Sequence, residues 1–116
     1  TELAKQVALK NKIKLYEGAY VYTTGPTYET PAEIKAIISL DGKAVGMSTF
    51  PEYLKCMELK QEFLIISCLT NYGAGLNNTK VTHQDVLLNA DRSKEVFSKY
   101  ILDFIQNIEH QKILKK

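Results

Sequence analysis

Eleven consecutive residues, Thr23-Thr24-Gly25-Pro26-Thr27-Tyr28-Glu29-Thr30-Pro31-Ala32-Glu33, constrain the fold of this chain more than any other stretch. The run before them, Tyr16 to Tyr22, is rich in tyrosine and valine and reads as a strand. Gly25-Pro26 ends it, because glycine tolerates unusual dihedrals and proline cannot continue a ladder. Thr30-Pro31-Ala32-Glu33 then reads as a capping box, with Thr30 as N-cap, Pro31 in the first turn and Glu33 reaching back. Tyr28 and Glu29 are left on a short bridge from strand to helix. In α/β sheets ligands bind at the carboxyl ends of strands, so an aromatic and a carboxylate here are suited to a flat ring bearing N–H donors. Read alone, the pair is first of all a partly buried tyrosine and a solvated glutamate.

The rest of the chain alternates in the same way. Leu3, Ala4, Val7 and Ala8 recur at helical spacing, which predicts a helix over 2–11. A strand is expected over 14–23, a helix over 31–40, and a short strand at Ala44–Met47 with Ser48-Thr49 at its end. Thr49-Phe50-Pro51-Glu52 signals a capped helix to about Lys60. Phe63–Leu69 is an almost unbroken apolar run, the pattern of a strand covered on both faces, closed by Thr70-Asn71. A loop follows from Tyr72 to Val81. Thr82 then caps a last helix, whose apolar stripe comprises Val86, Ala90, Phe97, Ile101, Phe104, Ile105 and Ile108. Strand–helix alternation of this kind predicts an α/β protein and, at 116 residues, a single domain spanning 1–116. The candidates Tyr28, Glu29, Met47, Ser48, Asn71 and His83 all follow strands, which places them at one edge of the sheet.

Composition narrows the function. A net charge of +2 with scattered Lys and Arg gives no reason to expect nucleic acid, and no apolar run approaches a membrane span. Cys56 and Cys68 have neither disulfide-framework nor metal spacing; they read as buried free thiols of a reducing, cytoplasmic setting. No catalytic triad, metal cluster or dinucleotide loop is present in the sequence.

Four separated motifs occur in one order: Gly25-Pro26-Thr27-Tyr28-Glu29-Thr30; Val45-Gly46-Met47-Ser48-Thr49 with Pro51-Glu52; Leu69-Thr70-Asn71; and His83 before Val86-Leu87. Together they resemble the C-terminal part of the trimeric-type purine nucleoside phosphorylases, from about Leu3 to Ile108. The resemblance implies a three-layer α/β/α fold, the C-terminal portion of a mixed-sheet enzyme. It implies a purine-salvage glycosyltransferase that cleaves 6-oxopurine nucleosides such as inosine and guanosine with inorganic phosphate as co-substrate and no cofactor or metal. A homotrimer is expected for the full-length protein. With a chain that opens inside a helix, the resemblance implies a fragment that lacks the family's upstream phosphate ligands and is inactive alone.

The resemblance also assigns roles. Glu29 would accept the base N1–H, and Asn71 would bond N7 and O6. Tyr28 would pack over the base, where the family often has Phe. Met47 would lie under the sugar, Ser48 would bind phosphate, Tyr20 would bond the ribose 3′-hydroxyl, and His83 would stand near the 5′-hydroxyl. Each residue also has an ordinary reading: cap carboxylate, turn former, core packing or exposed helix start. The related 5′-methylthioadenosine phosphorylases usually carry Ser and Asp where this chain has Glu29 and Asn71. That enzyme and a non-catalytic folding or oligomerisation fragment are the alternatives.

Overall fold

The computed structural model describes residues 2–77 and 82–114. Six elements follow in order: α1 (Glu2–Lys10), β1 (Ala19–Tyr22), α2 (Pro31–Ser39), β2 (Gly42–Gly46), α3 (Phe50–Glu58) and α4 (His83–Leu114). They fall into two compact units, Thr1–Glu17 with Leu87–Lys116, and Gly18–Val86.

In the first unit the spacing of Ala4, Val7 and Ala8 buries one face of α1, each residue 3% exposed or less. Tyr100 of α4 is equally buried, and its hydroxyl donates to the Ala4 carbonyl at 3.0 Å. A buried tyrosine needs a partner for its hydroxyl, and a helical carbonyl serves. The last helix runs beyond the expected Ile108 to Leu114. Its apolar stripe is mostly half-buried, and the fully buried position is Tyr100, which the stripe omitted.

The second unit is built on a parallel pair, with Tyr20 opposite Ala44, Val21 opposite Val45 and Tyr22 opposite Gly46. The first strand is shorter than the expected 14–23. Its partner begins only at Gly42, immediately after Asp41, whose φ of 62° ends α2 and turns the chain into the ladder, so residues 14–18 meet no strand. Between the strands, Thr30 caps α2 as expected: its N–H and hydroxyl both bond Glu33 Oε2, at 2.7 and 2.8 Å, and the Glu33 N–H returns to Thr30 Oγ1. These donors hold the Glu33 carboxyl below its ordinary pKa. Ile34, 3% exposed, is the buried anchor of this unit. The same box recurs at the start of α4, where the Thr82 N–H and hydroxyl bond Asp85 Oδ2 at 3.0 and 2.6 Å.

Three expectations are corrected. Phe63–Leu69 forms no ladder among the described residues, and Phe63 and Leu69 are 46% and 61% exposed. Apolarity alone does not make a strand, because its N–H and C=O groups need a neighbouring backbone to pair with. Cys68 lies in this run and is exposed rather than buried, while Cys56 on α3 is half-buried; both are free thiols. Finally, Thr49 stands at the N-cap position of α3 but makes no side-chain cap bond. Its φ of 80°, unusual for a β-branched residue, turns Oγ1 toward Ser48 Oγ at 3.5 Å instead. The expected loop from Tyr72 to Val81 is described only as far as Asn77.

Candidate functional site

Because β1 and β2 run parallel, their carboxyl ends share one edge, and the segments leaving them are neighbours. The Thr23 N–H extends the ladder one step to the Gly46 carbonyl at 3.0 Å. The chain then turns at Gly25, φ 64°, and returns Glu29 to the strand end, where Thr23 Oγ1 donates to Glu29 Oε1 at 2.5 Å. That is the short length of a hydroxyl–carboxylate bond. Glu29 is half-buried, and the tether leaves Oε2 and further lone pairs of an acceptor-only group free. Thr23 escaped sequence reasoning: two threonines precede the turn, and only the folded turn shows which one meets the carboxylate.

Gly25 also lets the second segment approach. A Cβ there would stand 2.7 Å from the sulfur of Met47, so the half-buried thioether seats against this turn. Gly46 does the same for Tyr20, because a Cβ at Gly46 would land on the Tyr20 hydroxyl. With that space open, Tyr20 reaches along the edge and donates to the Ser48 carbonyl at 3.0 Å. Its hydroxyl keeps acceptor capacity for another donor. Ser48, exposed, follows with its hydroxyl beside that of Thr49. Tyr22 stacks on Phe50 at a ring separation of 5.2 Å and so packs the start of α3 against β1.

Tyr28 and His83 meet as well. The Tyr28 hydroxyl lies 2.9 Å from His83 Nδ1, with ring centroids 6.4 Å apart. Asn71 stands apart from these pairs in its bonding. It accepts from Thr70 Oγ1 at 2.7 Å and donates to the Tyr72 carbonyl at 2.9 Å, which fixes its amide and leaves one N–H and one Oδ1 lone pair for a ligand. Among the described residues no three His, Cys, Asp or Glu side chains come together as a metal site.

The arrangement offers a tethered carboxylate, an exposed aromatic ring, a thioether and a hydroxyl pair along one sheet edge. These are the parts of a binding edge, within which the hydroxyls of Thr23 and Tyr28 meet Glu29 and His83.

The motifs carrying these residues also align with known proteins. A family model described as the phosphorylase superfamily matches residues 1–106. The chain belongs to the phosphorylase superfamily. Purine nucleoside phosphorylase 1 of Geobacillus stearothermophilus is 40% identical over 107 residues, which cover 92% of the chain and 39% of that protein. The 6-oxopurine nucleoside phosphorylase of Pyrococcus furiosus is 38% identical over 95 residues, covering 82% of the chain and 36% of the relative. The crystal structure of Schistosoma mansoni purine nucleoside phosphorylase in complex with inosine superposes with a TM-score of 0.83 at 30% identity. That match covers 90% of the chain and 38% of the solved one. The chain therefore has the α/β fold of part of these enzymes, as its motifs predicted, and spans about two-fifths of their length. No helix of the described residues is long and apolar enough to cross a membrane.

Proposed function

We propose that the polypeptide to which this segment belongs is a purine nucleoside phosphorylase that cleaves 6-oxopurine nucleosides with inorganic phosphate. The observation that carries the reading is the carboxylate of Glu29, tethered by Thr23 at the strand end through one oxygen, with no bond to the other among the described residues. A 6-oxopurine presents N1–H as a donor, and guanine adds a 2-amino group; a fixed carboxylate accepts both. A 6-aminopurine has an acceptor at N1 and would face lone pair with lone pair. This favours inosine and guanosine over adenosine derivatives, and so over the 5′-methylthioadenosine reading.

In the reaction the bond from C1′ to N9 breaks, its electron pair leaves with the base, and a phosphate oxygen bonds C1′. The ribose passes through a cationic state and the purine gains proton affinity at N7. Positioning and electrostatics supply the catalysis, and the protein need form no covalent bond. Asn71, its amide oriented by Thr70 and Tyr72, would bond N7 and O6 of the departing base. The half-exposed ring of Tyr28 would cover the purine, and Met47 would lie against the sugar. Tyr20, already donating to Ser48, would accept from the ribose 3′-hydroxyl. His83 would face the 5′-hydroxyl.

Ser48 would contact phosphate through its hydroxyl, but one exposed serine beside Thr49 is too little to hold a dianion against water. Phosphorolysis is accordingly proposed of the longer polypeptide and inactivity of this segment alone. A homotrimer acting in cytoplasmic purine salvage completes the proposal, resting on the family resemblance. The test is phosphorolysis of inosine by the full-length polypeptide and its Glu29→Gln variant. The amide turns a donor toward N1–H, so kcat/KM should fall about tenfold or more, the worth of one mismatched buried polar pair. Equal kinetics with inosine and guanosine would remove Glu29 from base recognition.

A further inference from the structure

We propose that Tyr28 is the positioning residue of His83: its hydroxyl fixes the imidazole with Nε2–H outward, selecting nucleosides that carry a 5′-oxygen. The inference rests on the phosphorylase reading above and names a specificity determinant within that site. Its basis is the 2.9 Å contact between the Tyr28 hydroxyl and His83 Nδ1, which joins two segments 55 residues apart. A phenol is a stronger O–H donor than neutral imidazole is an N–H donor, and imidazole nitrogen is the better acceptor. The proton of the bond therefore belongs to tyrosine, which leaves Nδ1 bare and Nε2 protonated.

An outward N–H can donate to a 5′-hydroxyl oxygen. It finds nothing to bond at a 5′-methyl group and only a weak acceptor in a thioether sulfur. A phenylalanine at this position would cover the base equally well and leave the histidine free to take either tautomer. In the second form a bare Nε2 could still accept from a 5′-hydroxyl, so binding would survive but its preference would weaken. The rest of the pair is arranged to hold the ring. Thr82, immediately before His83, is locked into its capping box with Asp85, which fixes the backbone from which the imidazole projects. Tyr28 is likewise held between the tethered Glu29 and the α2 cap at Thr30. The contact thus bridges two fixed backbones.

The experiment has two arms. The sequence holds two histidines, His83 and His110, so ¹⁵N-histidine spectra of this chain are assigned by one His110→Gln variant. In the parent His83 should show one protonated nitrogen, Nε2, and Tyr28→Phe should convert it to an averaged mixture of tautomers. A His83 spectrum untouched by Tyr28→Phe overturns the proposal. In the full-length polypeptide, the ratio of kcat/KM for inosine over 5′-deoxyinosine should fall about twofold to threefold in Tyr28→Phe, because the bond to the 5′-oxygen survives and only the fixed orientation of the ring is lost. Tyr28→Leu, which loses ring and hydroxyl together, should lower the rate on both substrates and so separates base packing from 5′ selection. If the tautomer shifts while the ratio stays constant, the substrate half of the proposal is overturned, although inosine phosphorolysis itself stands. Absence of phosphorolysis in the parent refutes the enzyme reading instead, and the spectrum still decides whether Tyr28 governs His83.

Discussion

Replacing Thr23 with valine isolates the tether on the Glu29 carboxylate. Valine matches threonine in shape and branching, so the strand end and its N–H bond to Gly46 are kept, and only the hydroxyl donor is lost. The bond removed is 2.5 Å long and ends on a carboxylate. Hydrogen bonds to charged groups contribute about 1.5–3 kcal/mol when well shielded. Here both residues are only half-buried, so water replaces part of the loss and about 1–1.5 kcal/mol is expected. In stability, a loss of that size lowers Tm by several degrees for a domain of about this length. In activity, a free carboxylate must be ordered when the base binds. On the proposed function kcat/KM for inosine in the full-length polypeptide then falls about tenfold, mostly through KM. Thr23→Ser keeps the donor and should recover most of both effects. The assay is phosphate-dependent release of hypoxanthine, followed beside a thermal melt. A valine variant that melts and turns over like the parent, while Glu29→Gln is impaired, would refute the tether.

Three further outcomes follow from the same contacts. Tyr100→Phe leaves the Ala4 carbonyl without its buried partner and should cost about 1 kcal/mol in a denaturant melt. Burial also raises the Tyr100 phenol above its ordinary value of 10.0. The stabilisation linked to it is full below that pH and is lost as pH rises through the folded-state pKa; the phenylalanine variant should lack this alkaline loss. Gly46→Ala places a methyl group on the Tyr20 hydroxyl and should displace it from the Ser48 carbonyl, seen as an altered Tyr20 ring spectrum with β2 retained. The carboxyls of Glu33 and Asp85 are both held below their ordinary values by the threonines they cap. Their contribution is present above the ordinary carboxylate range and lost as pH falls through the lowered values, so the Thr30 and Thr82 N–H groups should exchange faster in acid than hydrogen-exchange chemistry alone predicts.

What the sequence revealed and what it hid divide along physical lines. The capping box at Thr30 and Glu33 was legible because its contacts lie within one helical turn and follow from local geometry. The buried face of α1 was legible because periodicity is a property of the helix itself. The apolar run Phe63–Leu69 was misread because its status depends on a neighbouring backbone, which no local pattern specifies. At the site, the motifs pointed to Glu29 and His83. They could not reveal that Thr23 holds one and Tyr28 meets the other, because both contacts exist only once the turn has formed and the start of α4 has come to the sheet edge.

This sheet edge is proposed to recognise a 6-oxopurine nucleoside for phosphorolysis. Its most direct test is hypoxanthine release from inosine by the full-length polypeptide, with and without inorganic phosphate, in the parent and in Glu29→Gln. Phosphate-dependent release is expected in the parent, with about a tenfold or greater loss of kcat/KM in the variant. No phosphate-dependent release in the parent, or release that Glu29→Gln leaves unchanged, would contradict it.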